Sequence, residues 1–275
     1  MTDAADLASG KGRKNENFPV ASLLVRTAYR PPIVAFYRFA RAADDIADNP
    51  DASANTKLRL LEEMRSGLDG KGAAEAKALR EIMIDRDIDP IHAHDLLNAF
   101  ETDVARNRYC NWEELIDYCK LSAMPVGRFV LDVHGESRAT WPANDALCAA
   151  LQIINHLQDC GSDYRRLNRV YIPLDTGLSV EDLGGDRTTP ELRAIIRALV
   201  GRTRELLKRS ADFSASIRDR RLAAEVAVIQ RFALSLCDRL ESNDPLSERV
   251  HHRKVEALFL ALRAALPALV RRSAA

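Results

Sequence analysis

The stretch RFARAADDIADNP, Arg38 to Pro50, sets three aspartates within five positions of an otherwise amphipathic segment. Apolar residues recur at helical spacing through IVAFYRFARAADDIAD, and Pro31-Pro32 supplies a start signal just ahead of it. Asn49-Pro50 ends the helix, because proline disfavours the α conformation in the residue before it. On such a helix Asp44 and Asp48 lie one turn apart and share a face, with Asp45 close to it. Like charges at that spacing repel, so the arrangement costs stability unless a cation sits among them.

A second stretch, LQIINHLQDCGSDYRR (Leu151 to Arg166), repeats the pattern. Gln152, Asn155, Asp159 and Asp163 follow at steps of three, four and four. On a helix they form a stripe about 80° wide. Leu147, Leu151, Ile153, Ile154 and Leu157 make the remainder apolar. A polar stripe on so apolar a helix must face partners or a wet cavity. The first motif alone is better explained as a solvated helix end; the amide–carboxylate stripe is rarer by chance. Hard divalent cations reverse the repulsion, because they bind carboxylate oxygens and keep waters that a phosphate can replace. Two such rows facing each other on separate helices predict a magnesium–diphosphate clamp. Its metal candidates are Asp44, Asp45, Asp48, Asp159, Asp163 and Asn155, with Gln152 completing metal or water ligation and Asp45 balancing charge.

Outward from these two segments the chain reads as helix after helix. Further helices are predicted over 54–69, 73–85, 90–106, 111–134, 144–165, 190–217, 219–242 and 247–271, and strand alternation is nearly absent. Thr189-Pro190-Glu191 is a strong start signal: a capping hydroxyl, proline in the first turn, then an acid near the positive end of the dipole. Residues 167–188 form a long irregular segment, a length that in a compact domain usually serves function. The expectation is an all-α, single-domain helical bundle over residues 17–275 with a central active-site cavity, preceded by a flexible tail at 1–16.

Forty basic residues balance forty acidic ones, which excludes the global basic field that draws proteins to nucleic acid. Five cysteines, an odd number without CxxC pairing, point to reduced thiols of a cytoplasmic chain, several of them core fillers. The N-terminal stretch lacks an apolar signal region, and no run of about 18 apolar residues suits a spanning helix. VEALFLALRAALPALVRR, Val255 to Arg272, is apolar on a broad face; core packing is the default and peripheral membrane contact the alternative. Among the histidines, His92 and His94 are expected at the surface and His134 at a helix end beside free carbonyls. His156 falls about 100° off the stripe and is expected to support it rather than ligate metal.

ARAADDIAD (Ala40 to Asp48), the QxxNxxxDxxxD pattern from Gln152 to Asp163, NRVYIP (Asn168 to Pro173) and YCKLSAMPVGRFV (Tyr118 to Val130) together resemble the squalene/phytoene synthase family. The likeness runs from about Asn15 to the last helix. It implies the all-helical type I isoprenoid synthase fold. ENFPVAS, SAMPVGR and NHLQDCGSDYRRLNRVYIP are most similar to the bacterial branch of hopanoid-type pathways. That branch is implied to ionise presqualene diphosphate with magnesium and to quench the rearranged cation with water, without NADPH. The alternative is a head-to-head prenyltransferase that joins two prenyl diphosphates to presqualene diphosphate, squalene or phytoene. No oligomeric state follows from the resemblance.

The catalytic candidates are Tyr37, Arg41, Asp44, Asp48, Asp159, Asp163 and Tyr171. Arg41 shares the face of Asp44 and suits bidentate contact with diphosphate. Arg169 and Tyr171 are placed to close over the leaving group, and Arg249 matches a diphosphate-contacting arginine of the family. Gln152 and Asn155 complete the substrate-binding set. Phe18 and Tyr37 offer aromatic faces to a carbocation. Pro125 and Gly127 are expected to bend a helix and open a tunnel for a polyprenyl chain. Two departures stand out: Gln158 replaces an arginine of the relatives, and Asn15-Glu16 replaces a serine followed by a basic residue. Both remove positive charge, which favours one bound diphosphate over two.

Overall fold

The structure, a computed structural model, describes residues 24–270. Phe18, Asn15-Glu16 and the tail at 1–16 lie outside the described residues. The helices run α1 Arg30–Asp48, α2 Ala54–Leu68, α3 Ala74–Asp85, α4 Ile91–Ala105, α5 Trp112–Ser122, α6 Met124–Val133, α7 Trp141–Leu167, α8 Pro190–Arg209, α9 Phe213–Ser216, α10 Arg220–Ser242 and α11 Lys254–Val270. Among the described residues the only extended pairing is an isolated parallel bridge between Arg108 and Val170. The chain divides into two compact units: Met1–Arg106 with Lys120–Gly135, and Asn107–Cys119 with Glu136–Ala275.

In the first unit α1 packs against α2, α3, α4 and α6. Phe36, Phe39, Ile46, Leu60, Leu61, Met64, Leu79, Leu97 and Phe129 fill its core. Phe36 stacks on Phe129 with ring centroids 4.0 Å apart. These rings are buried in the core. The α2–α3 approach is close at Gly67, where an added Cβ would fall 2.6 Å from that of Ala76. His92 is not at the surface: it is 1% exposed and its Nε2 lies 2.9 Å from the Asp132 carboxylate. Its neighbours Ala93, Leu96 and Leu97 show why, since α4 turns that whole face inward. His94 is half-buried. His134 caps α6, its Nδ1 2.8 Å from the Val130 carbonyl.

In the second unit α7 packs on α8 and α10, and α10 also carries α9 and α11. The long helix expected over 111–134 is broken, not bent. Ala123, at φ −114° and ψ −45°, separates α5 from α6, and Pro125 sits in the first turn of α6, where its missing N–H costs nothing. α7 starts earlier than expected because Pro142 suits a first turn, and it ends at Asn168 in the left-handed region (φ 51°, ψ 34°). The Thr189 hydroxyl caps α8 by accepting the Leu192 N–H at 3.1 Å. The final helix begins at Lys254 rather than at 247. Val250 is held instead by a hydrogen bond from Gln158 to its carbonyl. All five cysteines are free. Burial pushes the thiols of Cys119, Cys160 and Cys237 up to about 12, so they are inert core groups.

Candidate active site

The last two turns of α1 hold the first acidic row. The Arg41 guanidinium forks between Asp44, at 2.8 Å, and Asp45, at 2.6 Å. Asp45 is buried, while Asp44 and Asp48 are half-buried, as is Tyr37, one turn before Arg41 and two turns before Asp44 on the same face. About a third of the Asp44 side chain reaches solvent (34%), yet its carboxyl group is crowded by protein. Burial, then the charge of Asp48, then Asp45 and Asp103 push its pKa up to about 7 against the pull of Arg41. Asp103, buried on α4, is a fourth acid that the sequence reading missed. It stands alone in its own segment, and only the packing of α4 on α1 brings it in.

The middle of α7 carries the second row. Asn155, Gln152 and Asp163 are half-buried and Asp159 is exposed, while Ile153, Ile154 and Leu157 between them are buried. The stripe therefore emerges from an apolar helix, as its spacing implied. Gln152 donates to Nε2 of His156 at 3.1 Å. The His156 ring in turn stacks on Tyr171, with centroids 3.5 Å apart and planes 14° from parallel. Tyr109 and Tyr118 pack round Tyr171 at 5.6 and 5.5 Å. Burial, and then the charge of Arg169, lower the His156 pKa to about 3, so the imidazole is neutral. It supports Gln152 and Tyr171.

The segment bearing Arg169 and Tyr171 is tethered. The Val170 N–H reaches the Asn107 carbonyl at 2.9 Å, Leu174 that of Tyr109 at 3.0 Å, and Asp175 that of Cys110 at 2.9 Å. Arg108 donates to both the backbone carbonyl and the side-chain oxygen of Asn168, the latter at 2.7 Å. Arg169 is only 7% exposed, so it is no ordinary loop residue. Arg249 is exposed beside His251, on which both Arg249 and Asp159 act electrostatically. Gln158 is turned inward, 6% exposed, and donates to Val250. Gly127 is half-buried in α6.

The donor types fit magnesium: carboxylate and amide oxygens, with three further acids acting on Asp44 against Arg41. Among the described residues no three His, Cys, Asp or Glu side chains converge closely enough to hold an ion by themselves. Carboxylates spaced this way suit a cation held by one or two of them plus waters and a substrate phosphate.

The squalene/phytoene synthase family profile matches residues 12–256. The chain is 56% identical to the hydroxysqualene synthase of Zymomonas mobilis subsp. mobilis over 96% of its own length and 91% of the relative's. It is 49% identical to the hydroxysqualene synthase of Rhodopseudomonas palustris, covering 99% and 96% of the two chains. Among solved structures, the squalene synthase HpnC from Alicyclobacillus acidocaldarius superposes with a TM-score of 0.71 at 29% identity, covering 86% of this chain and 90% of that one.

Proposed function

The chain belongs to the squalene/phytoene synthase family and has its all-helical type I isoprenoid synthase fold, and from that premise we propose that it is a hydroxysqualene synthase. In this reading presqualene diphosphate and water give hydroxysqualene and diphosphate. The carbon–oxygen bond to diphosphate breaks, the cation rearranges, a water oxygen bonds to carbon and its proton leaves to solvent. The near-full-length likeness to two hydroxysqualene synthases, with both acidic rows intact, carries the reading.

Asp44, Asp48, Asp159 and Asp163 would hold magnesium, with Asn155 and Gln152 as amide-oxygen ligands to metal or its waters. When bound, the metal offsets the negative charge that develops on the departing diphosphate. Arg41, already fixed by Asp44 and Asp45, is positioned as a bidentate donor to diphosphate oxygens. Asp45 keeps that guanidinium in place. Arg169 adds a buried positive charge beside α7. Tyr171, held by its stack on His156, is oriented before substrate arrives. Gln158 is committed to Val250 and supplies no charge, which supports a site for one diphosphate.

Incubation of the pure protein with presqualene diphosphate and magnesium in ¹⁸O-labelled water tests the reading. The expected product is an alcohol carrying ¹⁸O, formed without NADPH. An unlabelled alcohol or a hydrocarbon as the main product would overturn it. Turnover of farnesyl diphosphate alone would make the protein a head-to-head prenyltransferase instead.

A further inference from the structure

α11 does not behave as a core helix. One face rests on α10, with Ala265 buried and Glu256 ion-paired to Arg239. The opposite face presents Val255, Leu258, Phe259, Leu262, Leu266 and Val270, each between 54% and 82% exposed. At helical spacing these six fall within an arc of about 120°. The other exposed large apolar side chains of the described residues are scattered along the remaining elements. A continuous apolar stripe on a soluble surface marks an interaction site.

Charge identifies the occupant. The chain as a whole is balanced, but residues 249–272 contain six basic residues and one acidic one, Glu256. That acid faces Arg239 and not the stripe. Arg253, Lys254 and Arg263 are exposed, and the sequence continues past the helix with Arg271-Arg272. An apolar face with cationic ends and margin matches the interfacial region of an anionic bilayer. A second copy fits poorly: parallel or antiparallel, two such helices would set cationic end against cationic end. No described helix is long and apolar enough to cross a membrane.

We propose that α11 lies in the plane of an anionic membrane surface, with the Val255–Val270 stripe among the acyl chains and its basic residues at the headgroups. The purpose, keeping a lipid substrate and product within reach of the bilayer, rests on the function proposed above; the docking itself rests on exposure and charge.

Co-sedimentation of the full chain with vesicles, without substrate, separates the two. Phosphatidylcholine vesicles with phosphatidylglycerol should bind the protein about tenfold better than phosphatidylcholine alone, and raised salt should reverse the gain. Replacing both Phe259→Ser and Leu262→Ser should lower partition by about tenfold or more while helicity and turnover of detergent-dispersed substrate stay unchanged. Absence of binding to anionic vesicles, or equal binding by the double variant, would overturn the proposal. So would a dimer in light scattering that the same two substitutions dissociate, because the stripe would then belong to a second copy.

Discussion

At the scale of single residues, the acidic rows make the sharpest prediction. Asp44→Asn and Asp159→Asn should each lower turnover by about 100-fold or more, at roughly 1.4 kcal/mol of barrier per factor of ten, with the circular dichroism spectrum unchanged. Near-normal turnover of either variant at saturating magnesium would remove that row from the chemistry. His156 gives a pH prediction. Its native pKa is lowered from 6.5 to about 3, so between those values the unfolded chain takes up a proton that the native chain refuses. Stability from this group is therefore present above pH 6.5 and is lost as pH falls toward 3. Urea unfolding of a His156→Gln variant should lose about 2 kcal/mol less than the parent between pH 7 and 4.5. Both rows were legible in the sequence because helix spacing alone places Asp44 by Asp48, and Asn155 by Asp159. Asp103, His92 and the His156–Tyr171 stack were not, because each depends on which helix or segment lies opposite, and a single-chain periodicity carries no partner.

Among the elements, those bounded by proline or by a cap were readable. α1 lies between Pro31-Pro32 and Asn49-Pro50, and α8 begins at the Thr189 cap. The break between α5 and α6 was only half readable: Pro125 marked a disturbance, which the sequence suggested as a bend, but Ala123 is a strong helix former and does not mark itself as the point of interruption. The end of α7 depends on Asn168, whose left-handed backbone lets the Arg169 N–H return to the Asp163 carbonyl at 3.1 Å. Asn168 also receives the Arg108 guanidinium. Asn168→Gly keeps the conformation and loses only the side-chain acceptor, at about 1 kcal/mol. Asn168→Val adds the left-handed penalty of a branched side chain and should lose about 2–3 kcal/mol. Denaturant midpoints rank the two, and equal losses would show that backbone conformation does not set the α7 terminus.

For the molecule as a whole, the order of the chain matters as much as its helices. Residues 107–119 belong to the second unit, yet 120–135 return to the first before 136 onward complete the second. Phe129, from the returning segment, stacks on Phe36 and joins the first unit's core. A chain ending at Arg106 should therefore lack cooperative thermal unfolding, whereas the full chain has it; a cooperative transition in the fragment would show that the core closes without α6. Nothing in the hydrophobic pattern announced this interleaving, because periodicity reports which face is apolar and not where it will be covered. It bears on how the protein is made. Chains commonly fold from the amino terminus as they leave the ribosome. Here the first unit's core waits for α6, and the tether between residues 107–110 and 170–175 waits for sixty more residues of translation. From residue 107 to residue 135 the emerging chain therefore carries two unfinished cores at once, a burden set by the order of its segments rather than by the stability of the finished protein.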